Sequence, residues 1–199
     1  TALQDEHVLL PQEPEAPEPT DMLGTNIFSY TLPCLGTTSL PPFEAEHQSR
    51  ATARFYHFFP GAPRIQKLRY VRNEPLMTKF ERCKKRFAKE GKDTSETWVF
   101  HGTAGENIDK IMTEGFKIGG RDISVAHGTA YGKGVYTSIK PSDPLDYGRG
   151  KAVILAKGLL GTLGAQEQGD SWRAGNPDWR IFKTSDQVLP LYVVYPGHK

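Results

Sequence analysis

Apolar residues recur at helical spacing at Leu76, Phe80, Cys83 and Phe87, and this stripe predicts an amphipathic helix running through Lys89. Asn73 is placed to cap it, and Pro75 suits its first turn. Immediately upstream, residues 64–72 (RIQKLRYVR) are β-prone with partial alternation and predict a strand. A polar break at 90–97 leads into a short apolar strand at 98–100. Thr103 and Glu106 then form a capping-box signature. The helix it opens carries Ile108, Ile111 and Met112 and is expected to stop at Gly115. Residues 117–130 read as a loop, and further strands are expected at 134–137, 151–160, 179–184 and 190–195. Short strands after two early helices predict an α+β domain with two packed, mainly antiparallel sheets and a few flanking helices.

The first part of the chain has a different texture. In residues 1–21, Pro11, Pro14, Pro17 and Pro19 alternate with Glu13, Glu15 and Glu18, a composition that cannot bury enough apolar area to fold alone. It reads as a linker or an extended arm. Across 22–63 aromatics gather among Pro and Thr (Phe28, Tyr30, Phe43, Phe55, Tyr56, Phe58, Phe59). That segment is expected to pack on the domain without long regular elements, and no long helix is expected before residue 64. The domain proper is expected to cover 64–199, and no internal repeat is visible.

Composition narrows the class. A chain of 199 residues suits one ordinary domain, and a formal charge of +2 is too mild to announce a nucleic-acid binder. Lys79, Arg82, Lys84, Lys85, Arg86 and Lys89 fall on the polar side of the expected helix, so they read as a solvated face. The two cysteines, Cys34 and Cys83, have no metal spacing; their scarcity favours a reducing intracellular compartment, cytoplasmic or nuclear. No metal is expected. No apolar run reaches membrane-spanning length, and no signal pattern opens the chain. A start at Thr1 reads as a piece of something longer.

Two short motifs carry the chemistry. One is Trp98-Val99-Phe100-His101-Gly102-Thr103, an apolar strand ending in His-Gly; the other is Tyr131-Gly132-Lys133-Gly134-Val135-Tyr136, a Gly-rich turn delivering a Tyr to a strand. Taken singly, each is an ordinary structural feature, and the Gly-Lys-Gly lacks the spacing of a phosphate loop. Their order, with a helix and a loop between, resembles the catalytic domain of the poly(ADP-ribose) polymerase family, the diphtheria-toxin-like ADP-ribosyltransferases. The resemblance covers roughly 64–199 and is strongest over 98–136.

That resemblance implies an enzyme that uses NAD as co-substrate, cuts its nicotinamide–ribose bond and passes ADP-ribose to an acceptor. The acceptor is a protein side chain, this chain itself included, or a nucleic-acid end. By the same resemblance His101 bonds the adenosine ribose, Gly102 grips the nicotinamide carboxamide through its backbone, and Tyr136 and Tyr147 wall the nicotinamide ring. Thr103 and Tyr131 flank these groups, and the loop from Gly119 to Gly128 lies over NAD. Residue chemistry agrees: a glycine lets backbone approach an amide closely, and tyrosines supply flat walls.

Two departures from the family pattern stand out. Many members carry a serine eight residues after the stacking tyrosine. That position is Pro144 here, leaving Ser142 as a substitute or the bond missing. Chain-elongating members carry a glutamate eight residues before the Gln that precedes the last strand. Counting back from Gln187 gives Trp179, and a one-residue slip would give Asp178. Strand alternation lets only one of the two enter the cleft. A tryptophan offers no base, so its presence implies transfer of single units. A catalytically silent domain that binds ADP-ribose or protein is the alternative. An RNA 2′-phosphotransferase is disfavoured, because Arg121 is the only arginine between His101 and Tyr136.

Overall fold

The computed structural model describes residues 15–33, 36, 39–119, 121–122, 130–149 and 151–197. Ten strands occur among them: β1 (Asp21–Gly24), β2 (Ile27–Leu32), β3 (Ile65–Asn73), β4 (Glu96–His101), β5 (Val135–Ser138), β6 (Val153–Leu159), β7 (Leu163–Gly164), β8 (Ser171–Trp172), β9 (Trp179–Phe182) and β10 (Val188–Pro196). Four α-helices accompany them: α1 (Pro42–His57), α2 (Glu74–Lys89), α3 (Gly105–Glu114) and α4 (Ser142–Tyr147). The strands follow the order β1-β2-β3-β10-β6-β4-β5-β9-β8-β7, and only the β7–β8 pair is parallel. The two expected sheets are thus halves of one hydrogen-bonded order. They join at a single residue pair, Phe100 with Ser138, where β4 meets β5.

Alternation along the central strands divides the core. On β6, Val153 and Leu155 face one cluster with Phe55 of α1 and Phe80 and Phe87 of α2. Ile154 and Ala156 face the other, with Ile108 and Met112 of α3. β10 lies between β3 and β6 and is buried along almost its whole length, as expected of a strand covered on both faces. Its Pro190 is tolerated beside a register shift between Pro190 and Tyr192.

α2 forms as its sequence predicts: Leu76, Phe80, Cys83 and Phe87 are buried, and the Asn73 side chain accepts from the Leu76 N–H. Asn73 also donates to the Met112 and Thr113 carbonyls, 2.9 Å each, so one buried amide joins the start of α2 to the end of α3. Lys79, Arg82, Lys85, Arg86 and Lys89 are exposed on α2, and Lys84 pairs with Glu96. Cys83 is buried as a free thiol, while Cys34 lies outside the described residues, as do residues 1–14 of the acidic segment.

Two expectations are corrected. Residues 22–63 hold a 16-residue helix, α1, and a strand, β2, paired along its length with β3. The buried stripe of α1 is Phe43, His47, Ala51, Thr52 and Phe55, in which small and polar residues break the apolar signal. Its polar members are satisfied inside: His47 Nδ1 lies 2.7 Å from the Tyr192 hydroxyl and its ring stacks on Tyr70 at 3.8 Å, while Thr52 donates to the Gln48 carbonyl. The second correction concerns α3, which starts after Ala104 with no side-chain cap. Thr103 accepts from Asn107 Nδ2 at 3.4 Å instead of forming a capping box with Glu106.

Burial, reinforced by Arg50, lowers the His47 pKa to about 4. An unfolded histidine titrates near 6.5, so between those values the unfolded chain binds more protons than the folded one. The contribution is intact above pH 6.5 and is lost as pH falls toward 4. We expect His47 to cost about 2–3 kcal/mol of stability between pH 7 and pH 4.5. His47→Gln should remove that slope, read from urea midpoints at the two pH values.

Candidate functional site

Beyond the Phe100–Ser138 pair, β4 and β5 part, and a cleft of about 670 Å³ opens between them. The end of β4 contributes His101, followed by Gly102 and Thr103, and β5 contributes Tyr136. Asn107, Lys110, Ile111 and Glu114 come from α3, Asp143, Pro144 and Tyr147 from α4, and Trp179 from the start of β9.

His101 bridges the parting strands. Its Nδ1 lies 2.8 Å from the Tyr136 carbonyl oxygen. A carbonyl only accepts, so Nδ1 carries the proton. Burial depresses the His101 pKa, against the opposing effect of that carbonyl. The neutral ring therefore keeps Nε2 as an acceptor. Phe116 meets it edge-on at 5.0 Å.

The Gly-Lys-Gly turn holds the Tyr136 ring. The Tyr136 hydroxyl donates to the Gly132 carbonyl at 2.8 Å and accepts from the Tyr131 N–H at 3.0 Å. Burial raises its pKa, so the phenol stays protonated at neutral pH. Gly132 has φ +91°, and the Glu167 side chain occupies the place of a Cβ there; its carboxylate accepts from the Lys133 N–H. A left-handed residue crowded in this way has to be glycine.

Gly102 is required by contact. A Cβ on it would stand 1.7 Å from the Pro144 carbonyl oxygen, so β4 and α4 touch through bare backbone. Trp179, half-buried, lines the cleft, and its Nε1–H donates to Asp143 Oδ2 at 2.8 Å. Asp178 is directed elsewhere and pairs with Lys140 at 2.7 Å.

His101, Gly102, Thr103, Tyr136, Tyr147 and Trp179 thus share one cleft. Ser142 is not among its lining residues; its hydroxyl donates to Asp143 Oδ1 at 3.4 Å. Tyr131 also lies off the lining and contributes backbone, with its carbonyl accepting from Trp172 Nε1 at 2.6 Å. Gly128 lies outside the described residues, as does most of the loop leading to it. Asp143 went unnoticed in the sequence: an acid in the short Ser-Asp-Pro run that opens α4 carries no spacing signal, and its partners Asn176 and Trp179 are more than thirty residues away. Among the described residues, no group of three or more His, Cys, Asp or Glu could hold a metal ion, and no helix is long and apolar enough to cross a membrane.

The model of the poly(ADP-ribose) polymerase catalytic domain matches residues 46–171, and the chain belongs to this family. Among solved structures it is similar to the crystal structure of the TASOR pseudo-PARP domain. The identity is 15% and the TM-score 0.60, over 85% of this chain and 99% of that one, a likeness of fold. No curated protein matches the sequence.

The backbone contact at Gly102 generates a direct test. Gly102→Ala forces α4 away from β4 and should cost about 2–3 kcal/mol of stability. A lowered urea midpoint with unchanged slope would report it.

Proposed function

We propose that the cleft takes NAD and that the domain transfers a single ADP-ribose to an acceptor, releasing nicotinamide. The observation that carries this reading is the neutral His101 imidazole, oriented by the Tyr136 carbonyl, on the same cleft as Gly102, Tyr136 and Tyr147. NAD supplies a C–N bond whose breaking builds positive charge on the ribose. Against it the chain sets an acceptor at Nε2 for a ribose hydroxyl, backbone at Gly102 for an amide, and tyrosine rings as walls. The acceptor's nucleophile closes the new bond to ribose and its proton passes to solvent. Nicotinamide leaves with the electron pair of the broken bond.

Trp179 supports the limit to one unit, because an indole cannot activate a hydroxyl on the ADP-ribose already attached. A protein side chain, this chain's own included, is the expected acceptor, with a nucleic-acid end as the second class to assay. The expected setting is the cytoplasm or nucleus. Catalytic architecture is assigned to residues 64–199, with 22–63 packed on it and 1–21 as a linker or arm.

A second reading, a silent module that binds ADP-ribose or protein, is favoured by the bond to Asp143 from Trp179, which stands where chain-elongating members carry a glutamate. The pseudo-PARP description of the structural neighbour points the same way.

Thermal melts and intact-mass spectrometry separate the two. The proposal expects a melting midpoint that rises with NAD by mass action, and one ADP-ribose increment per modified site. A shift without a mass gain supports the silent module. A ladder of increments overturns the single-unit limit, and no shift with NAD or benzamide overturns NAD binding. His101→Ala should lower transfer about a hundredfold by losing the positioning of the ribose, while the Tyr136 carbonyl left without its partner costs about 1–3 kcal/mol and lowers the melting midpoint without unfolding the domain.

A further inference from the structure

Five cations run down the outer side of α2, away from its buried stripe. Lys79, Arg82, Lys85, Arg86 and Lys89 are all exposed, and steps of three and four residues make them neighbours on the helix surface. Residues 74–89 hold six cations against two carboxylates, Glu74 and Glu81, an excess of four positive charges. The whole chain totals only +2, so everything outside α2 carries a net −2. A mild total conceals a strong local field.

The fold neutralises the cations beside this stripe. Lys84 pairs with Glu96 at 2.6 Å, and Lys157 meets the same carboxylate at 2.7 Å. Lys92, just past the helix, pairs with Glu90 at 2.7 Å and Asp170 at 3.1 Å. Glu81 acts on Lys84 as well. By contrast, Lys79, Arg82, Lys85 and Lys89 have no ion-pair or hydrogen-bond partner among the described residues. Arg86 reaches the Cys83 sulfur at 3.3 Å. Like charges three and four residues apart weaken a helix. The sequence pattern reads as a solvated face, but repulsion left without counter-charges in the fold fits an anionic surface outside it.

We propose that the outer face of α2 docks double-stranded DNA through its phosphates, without regard to base sequence. From Lys79 to Lys89 the helix advances about 15 Å, the length over which one DNA strand presents about four phosphates. Evenly stepped cations match evenly spaced phosphates. Binders of single strands add aromatic rings for the bases to stack on, and the stripe has none; nor has it an Asn or Gln to read base edges. Lys and Arg only donate, so nothing in the stripe accepts from a ribose 2′-hydroxyl. The major groove of B-form DNA admits a helix, whereas that of duplex RNA is too narrow. No residue of α2 lines the cleft, so the inference is independent of the NAD reading.

Fluorescence anisotropy of the full chain with a labelled DNA duplex of about 20 base pairs tests it. Four phosphate contacts predict a slope of log K against log salt of about −3.6, and a drop in affinity of about a hundredfold between about 50 and 200 mM salt. Lys85→Gln combined with Lys89→Gln should reduce the slope by about two and the affinity at about 50 mM salt by about a hundredfold. Lys79→Gln combined with Arg82→Gln should do the same from the other half of the stripe. Gln matches Lys and Arg in helix propensity, so the melting midpoints of both variants should stay level or rise. Lys67→Gln combined with Lys151→Gln removes the same charge from exposed positions outside α2 and should change affinity less than about threefold.

Absence of binding at about 50 mM salt overturns the proposal, as does an equal loss in the α2 variants and the Lys67–Lys151 variant. Tighter binding of the single strand or of an RNA duplex overturns the assignment to duplex DNA. Polyglutamate that displaces the labelled duplex as well as unlabelled DNA does overturns it in favour of an acidic polypeptide. Every readout is binding to α2, so these results stand or fall apart from ADP-ribose transfer in the cleft.

Discussion

The site depends on one hydrogen bond across a gap in the sheet. β4 and β5 share a single backbone pair, and past it their ladder ends. Buried backbone groups at such a break need other partners. The Tyr136 carbonyl finds one in the His101 imidazole, so the same contact closes the break and orients the ring. The cleft is the space that the missing ladder leaves. Fixing the imidazole through Nδ1 leaves Nε2 unprotonated, and burial keeps the ring neutral. Geometry and protonation state thus have a common cause.

Around that break, contacts without side chains set the distances. Gly102 touches the Pro144 carbonyl directly, and Gly132 turns under the Glu167 side chain. The Tyr136 hydroxyl is held within its own turn, which leaves the face of the ring as the chemically available surface. Trp172, fully buried, anchors the segment ahead of Gly132 through the Tyr131 carbonyl. Gln187 does similar work farther off. Its amide donates to the Leu159 and Asp170 carbonyls and its oxygen accepts from the Thr184 backbone, joining the ends of β6, β8 and β10.

Elements with a strong apolar period were legible in the sequence. α2 could be read down to its Asn73 cap, and β3, β4, β6 and β10 fall within a few residues of expectation. α1 was hidden because His47, Ala51 and Thr52 occupy its buried stripe, and burial of those residues depends on partners such as Tyr192 and Tyr70 that local pattern does not reveal. The capping box at Thr103 satisfied the spacing rule, yet Ala104 is the residue with extended geometry at the helix entry. Of the site, the positions adjoining a turn or a strand end were visible as motifs. Whether Trp179 or Asp178 enters the cleft is a matter of strand register, and it is decided where Ser138 pairs with Trp179 while Lys140 draws Asp178 away. Asp143 acts through partners brought near only by folding.

The strand order also shapes how the chain can assemble. β10 is last in chain order but stands in the middle of the larger half-sheet, flanked by strands that begin about 120 and 35 residues earlier. Until it arrives, β3 and β6 present open backbone edges to each other's empty neighbour position, the condition that invites pairing with foreign strands. On a ribosome, most of the domain would therefore wait, incompletely paired, for its final segment. Non-local closure of this kind is slow, and the nascent domain has its greatest need of chaperone protection just before synthesis reaches that segment.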